Sequence, residues 1–212
     1  MMQSVTSAKI DPKAKFLTSL TEYTKQHKAR HWEGTFAEFV QDILPQDPKG
    51  ISRTCHQYVW DMLRWTAAAG GSGENSKPID LLASELYGVD DALERVVDYF
   101  KAAAAGSEVG RRLLLLLGPP SGGKSTLVIL LKRGLEEYSH TDAGAIYAIK
   151  GSPLRESPLL LVPSTLRPEF RETYGVEITG ELSPLARVQL DEDYNGDFMQ
   201  MPVERIFLSE AG

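Results

Sequence analysis

One stretch of this chain combines glycine, lysine and a hydroxyl at a spacing that handles phosphate. Gly118, Pro119, Pro120, Ser121, Gly122, Gly123, Lys124 and Ser125 read GPPSGGKS, with Thr126 next, and match the G-x-x-x-x-G-K-[ST] loop. Each position has a physical reason. Gly118, Gly122 and Gly123 reach backbone angles closed to other residues, so several N–H groups can converge on phosphate oxygens. Lys124 supplies a mobile ammonium for the β and γ phosphates. The Ser125 hydroxyl is placed to ligate Mg²⁺, and a helix beginning there adds its positive end. The chemistry is that of a nucleoside triphosphate with magnesium; the loop alone does not say what the energy drives.

The elements around the loop must hold it. Arg111 to Gly118, RRLLLLLG, is a short apolar run that predicts a buried parallel strand entering the loop. Leu127 to Tyr138 has helical periodicity and predicts the helix leaving it. Upstream, Val89, Ala92, Leu93, Val96, Val97 and Phe100 repeat every 3.6 residues, with Gly106 as a C-cap. Ala145 to Ile149 and Val203 to Leu208 predict strands, and Ser183 to Leu190 a short helix. Five breakers, Gly151, Pro153, Pro158, Pro163 and Pro168, make residues 151–175 mostly loop, with a short strand at Leu159 to Val162.

Before these comes a region with helical signatures. Thr35 and Glu38 have capping-box spacing, ahead of Phe36, Phe39, Val40 and Ile43 on one face. A second helix is predicted from Ser52 to Ala69, with Tyr58, Val59, Met62 and Trp65 as its stripe. The glycine-rich segment Gly70 to Pro78 reads as a linker. The organisation expected is a helical region at 1–69, a linker at 70–78 and a nucleotide-binding domain at 79–212.

Composition bounds the alternatives. The 212 residues carry 23 Lys and Arg against 29 Asp and Glu, a net charge of −6, with 42% hydrophobic and 25% charged residues. That is globular usage, and the acidic balance argues against a nucleic-acid partner. The single cysteine, Cys55, cannot form an internal disulfide, and no apolar stretch of membrane-spanning length occurs. A cytoplasmic location and no membrane partner are expected. Charge is uneven: residues 1–34 hold six basic against three acidic side chains, and residues 177–212 eight acidic against two basic. The basic start, Lys25 to Trp32, reads as a solvated face. His27 and His31 share metal-pinching spacing without other ligands nearby, and Cys55 beside His56 reads as structural.

Hydrolysis needs an acidic residue on a neighbouring strand to help hold the metal. The one downstream candidate, Ile206 to Glu210 (IFLSE), has Ser209 where the first acid should stand. The chain is therefore expected to end before a complete catalytic site.

LYGVDDALERVVDYF followed by LLLLLGPPSGGKSTL resembles an AAA+ ATPase. The Tyr87 to Lys101 pattern, the phosphate loop, the segment KGSPLRESPLLLVP (Lys150 to Pro163) and TFAEFVQDI (Thr35 to Ile43) are similar to the PrkA family of bacterial serine protein kinases. The resemblance implies an α/β P-loop NTPase core of AAA+ type with a parallel sheet, and ATP with Mg²⁺ as ligands. It implies that Tyr87, Gly88 and Val89 enclose the adenine. It also implies links to stress physiology, protein substrates and homo-oligomers of the full-length protein. Arg155, Arg167 and Arg171 are candidates for an arginine reaching a neighbour's γ phosphate. H-R-D and D-F-G kinase signatures are absent, so the kinase activity is inherited from the resemblance. Two rival readings are a P-loop small-molecule kinase and a non-hydrolysing, nucleotide-gated interaction module. Catalytic residues are not identifiable, and this stretch is expected to bind ATP without efficient turnover.

Overall fold

The computed structural model describes residues 16–22, 31–69 and 77–209. Residues 16–22 are helical and exposed. The elements that follow are β1 (Glu33–Thr35), α1 (Phe36–Glu38), α2 (Pro48–Ile51), α3 (Cys55–Ala69), α4 (Asp80–Ala83), α5 (Asp90–Ala104), α6 (Lys124–Ser139), β2 (Ile146–Ile149), α7 (Arg167–Tyr174), α8 (Pro184–Tyr194) and β3 (Pro202–Ile206).

Local chemistry explains most boundaries. The Thr35 hydroxyl accepts from the Glu38 amide, and the Glu38 carboxylate accepts from the Thr35 amide at 2.7 Å, closing the capping box that starts α1. Hydrogen bonds from the Thr35 amide and hydroxyl hold the Glu38 carboxyl below the ordinary carboxylate range. α1 then runs into a π-helical turn, Phe39–Ile43. Ser183 caps α8, its hydroxyl accepting from the Ala186 amide, and Asn195 ends that helix in the left-handed region.

Two apolar clusters organise the chain. In the first, Phe36, Phe39 and Leu44 pack against Ile149, Leu159, Phe170, Met201 and Val203. In the second, Met62 and Leu63 pack against Leu82, Leu93, Val96, Leu127 and Leu130. Residues 31–51 thus enter the cluster built on the sheet, while α3 enters the one built on α5 and α6. Part of the expected helical N-terminal region is strand: β1 runs antiparallel to β3, with Glu33 opposite Glu204, and the Phe36 amide donates to the Met201 carbonyl at 2.8 Å.

The sheet corrects the expected parallel architecture. Among the described residues it has three strands in the order β1-β3-β2, and both pairings are antiparallel. The leucine run that should enter the phosphate loop as a strand is irregular instead. Leu113, Leu115 and Leu117 are 86%, 64% and 82% exposed, and only Leu116 joins the second cluster. A strand needs a neighbour offering free N–H and C=O groups. No described segment lies alongside to supply them.

Two further expectations differ. Leu159 to Val162 is not a strand; Pro158–Leu161 forms a 3-10 turn whose Leu159 amide is capped by the Ser157 hydroxyl. Residues 167–174, expected as loop, form α7, because Pro168 sits in the first helical turn, where a missing N–H costs nothing. Among the described residues, no helix is long and apolar enough to cross a membrane.

Candidate functional site

The phosphate loop is shaped by backbone the sequence permits at few other places. Gly123 is the N-cap of α6 with φ +79°, and Ser121 takes φ +62°. The Gly122 amide donates to the Pro119 carbonyl at 3.2 Å, and the Leu127 amide to the Gly123 carbonyl at 2.9 Å, which turns the chain into the helix. A Cβ at Gly123 would come within 2.6 Å of Leu86 Cδ2, so glycine is required both for the angle and for the close approach of residues 85–89.

The Lys124 ammonium donates to the carbonyls of Gly118 (2.8 Å) and Pro119 (2.6 Å), folding back over its own loop. The Ser125 hydroxyl is exposed on the first helical turn and makes no hydrogen bond among the described residues. With the unpaired amides at the start of α6, these groups present positive potential to one opening. That opening is a cleft of about 640 Å³, lined by Glu85, Leu86, Tyr87 and Val89 on one wall and by Pro120 through Thr126 on the other.

Residues 87–89, the expected adenine-enclosing turn, therefore face the phosphate loop across one cleft. Tyr87 is 86% exposed, its hydroxyl donating to the Ser84 carbonyl at 3.3 Å, and Gly88 takes φ +73°. An apolar hollow of about 350 Å³ adjoins the cleft, sharing Val89, Gly123 and Lys124 and walled by Leu93, Val96 and Leu127. Sequence reasoning missed Glu85, whose carboxylate is on the cleft wall and accepts from Arg133 at 2.9 Å. The two residues are 48 positions apart, so no motif spacing links the pair.

The other expected candidates lie elsewhere. The IFLSE stretch passes the far end of α6: the Leu208 amide donates to the Ser139 hydroxyl at 3.1 Å, and Phe207 stacks on His140 with ring centroids 4.7 Å apart. A sixteen-residue helix is about 24 Å long, so this stretch sits that far from the loop. Glu210, like His27, lies outside the described residues. Cys55 is exposed, its sulfur 3.9 Å from His56 Nδ1. Among the three arginines, Arg167 is committed to its own loop, donating to the carbonyls of Val162 (3.2 Å) and Gly180 (2.8 Å). Arg171 lies 3.9 Å from Glu177, and Arg155 is on a turn with φ +47°. Among the described residues, no group of three or more His, Cys, Asp or Glu side chains could hold a metal ion.

A family model described as the PrkA AAA domain matches residues 72–212. The ATP-dependent protease PrkA of Bacillus subtilis (strain 168) is 43% identical over 195 residues, 92% of this chain. The chain spans only 30% of that relative's length. A Geobacillus stearothermophilus protein, described as an uncharacterized protein in the gldA 5' region, is 32% identical over 94 residues, covering 44% of this chain and 93% of its own. No solved structure matches. AAA domains are P-loop NTPases, a class of ATPase-type enzymes. The chain belongs to the PrkA AAA domain family.

Proposed function

We propose that this chain binds ATP with Mg²⁺ in the cleft between residues 85–89 and the phosphate loop. The observation that carries the reading is convergence: an ammonium, a hydroxyl and a helix N-terminus open onto a cleft whose other wall is the Tyr87–Val89 turn. Gly118 through Thr126 hold the phosphates through backbone N–H groups. Lys124 exchanges its two carbonyl partners for phosphate oxygens, a stronger pairing because the acceptor is charged. Tyr87, Gly88 and Val89 flank the adenine. Ser125 suits Mg²⁺, which keeps most of its ligands as water and phosphate and needs few from protein. That ion would neutralise charge on the phosphates.

This stretch binds without efficient turnover. Glu85, the acidic side chain lining the cleft among the described residues, has one carboxylate oxygen paired with Arg133, which competes with its use in orienting water. What the bound ATP drives is not fixed by this cleft. The PrkA resemblance points to serine phosphorylation of a protein substrate. The Bacillus subtilis relative carries the name of an ATP-dependent protease, which favours ATP-driven proteolysis as the second reading. Both start from a nucleotide in this cleft, and assembly into homo-oligomers fits an AAA domain under either.

Calorimetry with Mg·ATP tests the proposal, with phosphate release followed in the same sample. Lys124→Ala removes charge-assisted bonds worth about 1.5–3 kcal/mol, so affinity falls by about 10- to 150-fold. Unchanged affinity in the variant would place the nucleotide elsewhere. Turnover at an ordinary enzymatic rate would refute the binding-only reading.

A further inference from the structure

Helix α3 ends at Ala69, upstream of the matched residues 72–212, yet it packs against α4, α5 and α6. Those three helices carry both walls of the cleft: α6 begins with Lys124, and Tyr87–Val89 joins α4 to α5. In the second half of α6 the three helices come into close contact. A Cβ on Gly134 of α6 would lie 2.8 Å from Met62 Sδ of α3 and 3.0 Å from Leu81 Cδ2 of α4.

A second connection is polar. Arg53, just before α3, donates to the Gly50 carbonyl (2.6 Å), to Asp61 Oδ2 (3.1 Å), to the Tyr138 hydroxyl (2.8 Å) and to the Ala143 carbonyl (2.9 Å). Tyr138, on the last turn of α6, donates onward to the Ala143 carbonyl at 3.1 Å, and its ring lies 5.6 Å from that of Trp65. One half-buried guanidinium thereby joins α3, the end of α6 and the turn into β2.

We propose that α3 is the brace that sets the spacing between the adenine turn and the phosphate loop, and that nucleotide occupancy is transmitted to α3 through Arg53 and Tyr138. The coupling is mechanical. A packed helix moves as a rod, so a shift at Lys124 reappears at Tyr138, and close-packed contacts resist partial displacement. By linkage, what nucleotide does to α3, α3 does to nucleotide affinity. Arg53 and Tyr138 act as positioning residues and touch no ligand. The inference rests on the ATP reading above.

The experiment pairs calorimetry with amide hydrogen exchange on the full chain. Saturating Mg·ATP is expected to slow exchange across Cys55–Ala69. Arg53→Ala is expected to weaken Mg·ATP binding about five-fold or more and to abolish that protection. Tyr138→Phe, which keeps the ring and loses the hydroxyl, gives a smaller change in the same direction and serves if Arg53→Ala does not fold. Variants that melt earlier but keep the parent affinity and the parent nucleotide-induced protection overturn the brace, since they show a merely structural role. Failure of the unsubstituted chain to bind Mg·ATP is a different result: it overturns the nucleotide reading itself, and the brace with it.

Discussion

Gly123→Ala puts a methyl group where the fold leaves none. The residue sits at φ +79°, and a Cβ there would approach Leu86 Cδ2 to 2.6 Å. The left-handed angle costs a non-glycine residue about 1–2 kcal/mol. Leu86 is 8% exposed, so relieving the contact means driving a packed side chain off its rotamer, for about 0.5–1.5 kcal/mol more. The variant should lose about 1.5–3.5 kcal/mol, which lowers Tm by roughly 3–14 °C in a chain of this size. Urea unfolding followed by far-UV circular dichroism measures it. Leu86→Ala separates the two contributions, because it clears the space and leaves the angle. Alone it costs about 2–5 kcal/mol as a core truncation. Combined with Gly123→Ala, the loss should fall short of the sum by about 0.5–1.5 kcal/mol. Strict additivity, or a loss below about 0.5 kcal/mol for Gly123→Ala, would refute the reading of how residues 85–89 seat against the loop.

Two other outcomes follow from the same geometry. Leu113→Ser with Leu117→Ser should leave stability within about 0.5 kcal/mol per site, since both side chains are over four-fifths exposed; a loss above about 2 kcal/mol in urea unfolding would show that the run is buried. The capping box makes stability pH-dependent through Glu38. Its folded pKa lies below the ordinary 4.5, so its contribution is present above that value and lost as pH falls through the depressed one. Glu38→Gln should flatten this acid limb of a Tm-against-pH series, and an identical limb in both proteins would count against the cap.

The signals legible in the residues alone were local ones. The capping box at Thr35 and Glu38, the periodicity of α5 and the loop before α6 each depend on neighbours within a few positions, and each appears where the pattern puts it. The turn from Gly118 to Ser125 was legible for the same reason: one left-handed glycine, one ammonium and two hydroxyls are properties of eight consecutive residues. α7 was hidden because its proline was weighed as a breaker and not as a first-turn residue.

Tertiary structure decided what depends on distant partners. Five consecutive leucines carry the hydrophobicity of a buried strand, but a strand exists only in a ladder, and here the run stays open to solvent. Glu33–Thr35 carried little strand signal and became one because Pro202–Ile206 lies beside it. Arg53 and Tyr138 are 85 residues apart, and nothing in their spacing announces a 2.8 Å bond. The sequence by itself determined where the glycine-rich turn into α6 falls, because backbone angles and side-chain type are local. The tertiary structure alone decided that the Tyr87 turn faces them and that α3 stands behind both, because packing of apolar faces is specified by the whole chain at once.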